Sequence, residues 1–168
     1  DCVILVAPTS NGPLPRVMAT GGKSEVALPP DEAEGEVAQR FPRFLPDGER
    51  FTFTSLPARD GEMATFLGRL GSTGRELLVR GTAGAVVVWP DKVVFLRGKS
   101  ILAQRVDLAG PRLLGDPVIL GEAPANLRTA GTNPATVAPD GTILFPTRLG
   151  LSTRLEWMSP DGRSLGPI

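Results

Sequence analysis

The stretch Phe44–Ser55, FLPDGERFTFTS, sets a Pro-Asp-Gly triplet directly before an alternating apolar run. Proline presets φ at the first turn position, aspartate bonds to nearby backbone amides, and glycine accepts positive φ. A tight turn that opens a strand is therefore expected. The same order returns in VAPDGTILFPT (Val137–Thr147), and a worn copy, VVWPDKVVFLRG (Val87–Gly98), stands between them. The worn copy keeps Pro90-Asp91 but has Lys92 in place of glycine, a change that a type I turn tolerates.

The aspartates at 47, 91 and 140 are spaced by 44 and 49 residues. A period of about 40–50 residues holding several strands is that of a β-propeller blade. A second class of turn follows each of these hairpins: ATGGKS (Ala19–Ser24), LGSTGRE (Leu70–Glu76), VDLAGPR (Val106–Arg112) and MSPDGRS (Met158–Ser164). Each lies between two short apolar runs. The Pro-Asp-Gly at Asp161 follows Asp140 by only 21 residues because it belongs to this second, outer class. Turn roles thus fall to Pro46, Asp47, Gly48, Pro90, Asp91, Pro139, Asp140, Gly141, Asp161, Gly162, Gly21 and Gly22.

The fold expected is all-β, a β-propeller segment of about four blades of four-stranded antiparallel sheets with the first blade incomplete. The blades run over about 1–36, 41–81, 82–125 and 134–168, with about 15 strands and no helix. PPDEAEGEVAQR (29–40) and GEAPANLRTAGTN (121–133) connect blades, and within them Asp31–Arg40 and Gly121–Asn133 are expected to meet a partner. The acidic run DEAEGE (Asp31–Glu36) reads as a solvated loop, since its carboxylates lack the spacing of a calcium loop.

One stretch imitates a nucleotide site. MATGGKSEV (Met18–Val26) ends its glycines on Gly-Lys-Ser, as a phosphate-binding loop does. That loop needs another glycine at position 17, where Val17 stands, and a helix from about Ser24, where SEVALPP places a strand and two prolines. Gly21-Gly22 is a hairpin turn.

Composition narrows the chemistry. The chain has 18 basic and 18 acidic side chains, so no net charge attracts nucleic acid or an anionic membrane. The arginines from Arg40 to Arg80 are interleaved with acids, which suits a polar protein–protein rim. Glycine and proline make 37 of 168 residues, while 41% of the chain is hydrophobic, so it folds and turns often. No apolar run reaches the roughly 18–20 residues that span a bilayer. The chain starts at Asp1 in an apolar run, like a segment of a longer protein. Cys2 is the sole cysteine and is expected to be a small buried strand residue. Histidine and tyrosine are absent, which removes Ser-His-Asp and Cys-His catalysis and imidazole-ligated zinc within these residues. The serines and threonines have no visible activating base, and Lys99-Ser100 is too little for a Ser-Lys dyad. No cofactor and no metal is expected. Trp89 and Trp157 are expected to pack between blades.

PRFLPDGERFTFTS, then VVFLRGKSILAQRVDLAGPRLLGDPVIL, then APDGTILF, in that order, resembles the TolB-like, WD-repeat-like propeller family. More narrowly, it resembles the propeller on the C-terminal side of many bacterial serine/threonine protein kinases. The resemblance covers nearly the whole chain and departs from the pattern at Lys92. It implies a non-catalytic binding or sensory module, extracytoplasmic, whose loops take a protein or small ligand. The kinase does not come with it, since the chain has no Gly-rich ATP loop, no His-Arg-Asp and no Asp-Phe-Gly. Two other roles fit such a propeller: gating a serine hydrolase of the prolyl-oligopeptidase type, or a structural part in an envelope complex. About four blades fall short of the six or more usual in that family. Missing blades or self-association are therefore expected, with no nucleic acid and no membrane insertion by this segment.

Overall fold

The computed structural model describes residues 2–9, 11–58, 61–81, 84–124, 135–138, 140–146, 156–158 and 164–167, which hold fifteen strands and a 3₁₀ turn at Glu32–Glu34. Val3–Leu5 (β1), Leu14–Met18 (β2) and Glu25–Leu28 (β3) make a three-stranded sheet. Glu36–Phe44 (β4), Arg50–Pro57 (β5), Ala64–Arg69 (β6) and Arg75–Arg80 (β7) make a four-stranded one. A third sheet, again of four strands, holds Val86–Val88 (β8), Lys92–Arg97 (β9), Ser100–Asp107 (β10) and Arg112–Glu122 (β11). Within each sheet every strand pairs antiparallel with its sequence neighbour. That is what tight turns between short apolar runs produce. Among the described residues no helix is long and apolar enough to cross a membrane.

One boundary differs from expectation. β4 begins at Glu36, so a limit at 41 falls inside it, and residues 36–40 of the supposed loop 29–40 are strand. Towards the end, Thr136–Val137 (β12) pairs with Ile143–Leu144 (β13), and Glu156–Met158 (β14) pairs with Ser164–Pro167 (β15). Among the described residues these are two separate two-stranded hairpins, and the rest of 134–168 lies outside the described residues.

The sheets stack face to face in chain order. Leu14 and Leu28 of the first sheet meet Phe51 and Phe53 of the second. Leu67, Leu78 and Val79 of the second meet Val87, Val93, Phe95 and Leu102 of the third. Val94, Leu96 and Ile101 of the third meet Val137, Ile143 and Phe145 beside the β12–β13 hairpin. Among the described residues no sheet closes on itself.

Strands β5 and β9 show how one sheet serves two interfaces. Successive side chains of a strand point to opposite faces, so Val93 and Phe95 enter one core while Val94 and Leu96 enter the next. In β5, Phe51 and Phe53 face the first sheet, and Thr52 and Thr54 are buried on the opposite face. The threonines there are not accidental. Gly84 N donates to Thr54 Oγ1 at 2.9 Å and Ala85 N donates to Thr65 Oγ1 at 3.0 Å. Thr54 and Thr65 are cross-strand partners, so a pair of hydroxyls receives the two amides that lead into β8. Without them, two buried N–H groups would lose their acceptors, at about 1–3 kcal/mol each.

Cys2 departs from expectation: it is exposed. It shares a face with Ile4, two residues on, which is 46% exposed, and that face of the first sheet points away from the second.

Gly68 pairs directly with Phe51, and a Cβ at Gly68 would stand 2.9 Å from Phe51 Cζ. The Gly68→Ala variant must displace a ring that is wholly buried, and a loss of about 1–3 kcal/mol is expected in urea unfolding. Phe53→Ala is expected to lose about 3–5 kcal/mol. Val118→Ala, at a residue 64% exposed, should stay within about 0.5 kcal/mol. Equal losses for Phe53→Ala and Val118→Ala would refute the stacking of the first sheet on the second.

Candidate functional site

Pro46-Asp47-Gly48 closes β4 onto β5. Gly48, at φ 70°, donates its amide to Leu45 O at 3.0 Å, and Leu45 N donates to Arg50 O at 2.8 Å. Asp47 Oδ1 accepts from Glu49 N (3.0 Å) and Arg50 N (2.9 Å), and Oδ2 from Arg50 Nε (2.6 Å). Burial pushes this carboxyl up, but the hydrogen bonds from Arg50 and Glu49, with the Arg50 charge, outweigh it. The net result lies below the ordinary value of 3.8.

The copy between β12 and β13 shares two of these bonds. Gly141, at φ 86°, donates to Ala138 O at 2.9 Å, and Thr142 N donates to Asp140 Oδ1 at 2.9 Å. Its closing bond, from Ala138 N to Thr142 O at 2.9 Å, is one residue tighter. Hydrogen bonds from the Thr142 amide and side chain hold the Asp140 carboxyl low.

The worn copy behaves differently. The Trp89–Pro90 peptide is cis. Asp91 pairs with side chains, accepting from Lys92 Nζ at 3.0 Å and Arg105 Nε at 3.2 Å, and the Lys92 bond is foremost in lowering its pKa. Pro139, Asp161 and Gly162 lie outside the described residues.

Gly21 and Gly22 have φ of 88° and 114°, Gly21 N donates to Met18 O at 2.8 Å, and β3 follows at Glu25. A strand after the glycines leaves no helix N-terminus to hold a phosphate.

The three turns that join first to second strands bound one cleft, of about 350 Å³. Its wall comes from Arg43 to Pro46 and Thr52 of the second sheet, Val87 and Trp89 of the third, and Val137, Ala138 and Gly141. Trp89, expected to pack between sheets, is 46% exposed, with the Arg50 guanidinium 5.9 Å from its ring centroid. Arg43 Nη2 donates to Val137 O, two sheets away, and Arg40 Nη1 donates to Thr9 O beside the first sheet. A register shift lies between these arginines, and Phe41 within it has φ 53°. Positive φ is uncommon outside glycine. The shift sets Arg40 opposite Thr54 and Arg43 opposite Thr52, which puts two residues an odd number apart on one face.

Sequence reasoning found the turns but not Arg40, Arg43 or the exposure of Trp89. Arg-Phe-Pro-Arg was the available signal: a proline within an apolar run points to an edge strand or a bulge. The loops expected to meet a partner fare unequally. Residues 125–133 lie outside the described residues, and within 29–40 Glu36, Ala38 and Gln39 are buried. Replacing all of 29–40 by a flexible linker would therefore unmake β4; only Asp31–Gly35 can be exchanged cleanly. DEAEGE is likewise not wholly solvated, because its last residue is Glu36. Among the described residues no group of acids and cysteine could hold a metal ion. Neither protein-family models, curated proteins nor solved structures give any match to the chain.

The low carboxyls set a pH dependence. A carboxyl whose folded pKa lies below its unfolded value contributes stability above the unfolded value and loses it as pH falls through the folded one. Asp47→Asn should cost about 1 kcal/mol at pH 7. That difference from wild type should shrink as pH falls below 3.8. Urea unfolding at pH 7, 4 and 3 measures it, and a difference that grows towards pH 3 would contradict the charge-assisted turn.

Proposed function

We propose that this chain is a non-catalytic segment of a β-propeller that serves as a binding or sensory module, with the cleft at its Pro-Asp-Gly turns as the contact site. One observation carries the assignment. Turns from three successive sheets converge on one cleft that presents a guanidinium, Arg43, beside a half-exposed indole, Trp89. Arginine and tryptophan are the side chains that most often dominate recognition surfaces.

Two features favour the propeller. Four-stranded meanders stacked face to face in chain order are what blades are. The reach of Arg43 from the second sheet to Val137 also brings first strands two sheets apart within one side chain's length, so the stack bends with β4, β8 and β12 on its inner side. The expected setting is a larger bacterial, kinase-linked protein with the propeller outside the cytoplasm. Further blades or a second copy would complete the ring. Binding at the inner end of the sheets leaves chemistry to other domains, in keeping with a chain that has no histidine.

Peptides selected from a random library on the folded wild-type chain provide the test, with affinity read by fluorescence anisotropy. Trp89→Ala and Arg43→Ala are each expected to weaken binding by about tenfold or more, or about 1.4 kcal/mol. Val118→Ala, remote from the cleft, is expected to leave it unchanged. Full affinity in both cleft variants, with folding verified by circular dichroism, would remove the cleft from the function.

A further inference from the structure

We infer that a second cleft, beside Glu36, binds an organic cation, an ammonium or guanidinium group. Glu36 opens β4 and is only 5% exposed. Its Oε2 accepts from Asp31 N at 2.7 Å, Gln39 Nε2 at 3.1 Å and Arg75 Nη1. Its Oε1 is also buried, yet has no hydrogen-bond partner among the described residues. An ionised carboxylate can accept about four hydrogen bonds, and a buried acceptor left unmatched is costly. A donor belongs there.

The surroundings say what kind. A cleft of about 260 Å³ that Glu36 helps to wall carries three further carboxylates, those of Asp31, Glu34 and Glu62, and the Ser55 hydroxyl. Only Arg75 and Arg80 oppose them there. Arg75 is already committed: it pairs with Glu36, donates Nη2 to Pro29 O at 2.6 Å, and stacks with Cζ 5.6 Å from the Phe53 centroid. The cleft is therefore anionic in excess, and one of its walls is Glu36, whose buried Oε1 has no donor among the described residues. A metal ion needs converging oxygens, and no such group exists among the described residues. An ammonium brings three donors and a guanidinium five, spread over a few ångströms, which suits dispersed acceptors. The volume suits one long side chain rather than a drug-sized ligand. This site lies apart from the turn-end cleft and does not depend on whether the sheets belong to a ring.

Isothermal titration at low ionic strength tests it with four probes: Nα-acetyl-lysine amide, Nα-acetyl-arginine amide, putrescine and the uncharged Nα-acetyl-norleucine amide. Saturable binding of a cationic probe and none of the norleucine amide is expected. A preference for either amino-acid amide over putrescine marks a peptide side chain as the source, and the reverse marks a free amine; both support the site. Glu62→Gln should weaken the bound probe by about tenfold. This variant is informative even if Glu36→Gln does not fold, because Glu62 is exposed, and it separates this cleft from a neighbouring hollow that Glu36 shares with Glu32. No heat with any cation, equal binding of the norleucine amide, or unchanged affinity in Glu62→Gln would overturn the proposal. Each would leave Oε1 to a buried water alone.

Discussion

Burial on both faces of β5 and β9 is the constraint on which the rest of the structure depends. A half-buried strand alternates apolar and polar residues, but a strand covered by a sheet on each side has no solvent face to alternate towards. Val93, Val94, Phe95 and Leu96 are consecutive and all buried, and each second one serves a different interface. A sheet built on such strands is stable only between two others. The chain meets this requirement by repetition, since each meander presents its outer face to the next. Stability in such a stack comes chiefly from neighbouring interfaces, not from one central core.

A dry interface between sheets must still receive the backbone that crosses from one to the next. That crossing explains the buried polar residues. Thr54 and Thr65 accept the amides of Gly84 and Ala85 where the chain leaves the second sheet for the third. Between the first and second sheets, Gln39 does comparable work: Leu14 N donates to its Oε1 at 3.1 Å, and its Nε2 donates to Pro29 O at 3.2 Å. Glu36 and Arg75 extend this network with charges, and here the match is incomplete, because one carboxylate oxygen is left over. Breaking a buried ion pair by removing one partner is costly, typically about 3–5 kcal/mol. Arg75 and Glu36 consequently tie the strand that opens the second sheet to the one that ends it.

The turns were legible in the sequence because their chemistry is local. Proline, aspartate and glycine in that order set φ and supply an acceptor within three residues, so Asp47 and Asp140 could be placed with no knowledge of the rest. The outer hairpins at Gly21-Gly22 and LGSTGRE were legible for the same reason, and they exposed the false nucleotide motif. What failed depends on distance. Whether Trp89 is covered depends on what stands opposite it, and Glu36 looks like any other acid of DEAEGE until Arg75, 39 residues on, is brought against it. Cys2 went wrong through a single face: a β-type run predicts burial, but the outward side of the first sheet faces nothing among the described residues. Local chemistry set the period and the turns, whereas the surroundings of Trp89 and Glu36 depend on residues distant in sequence.

The two clefts differ in kind for that reason. The turn-end cleft lies where three copies of one repeated element converge, and its distinguishing residues are those at which a copy departs from the pattern. Trp89 precedes Pro90-Asp91, the copy of the repeated turn in which lysine replaces glycine, and Arg43 stands just past the register shift that interrupts β4. The Glu36 cleft is instead lined by the second sheet and the segment that leads into it. A repeat satisfies folding with its common residues and leaves its irregular ones free for recognition. In this chain the irregularities are concentrated at the two ends of β4, with Glu36 at one and Arg43 at the other. One strand thus lines both clefts.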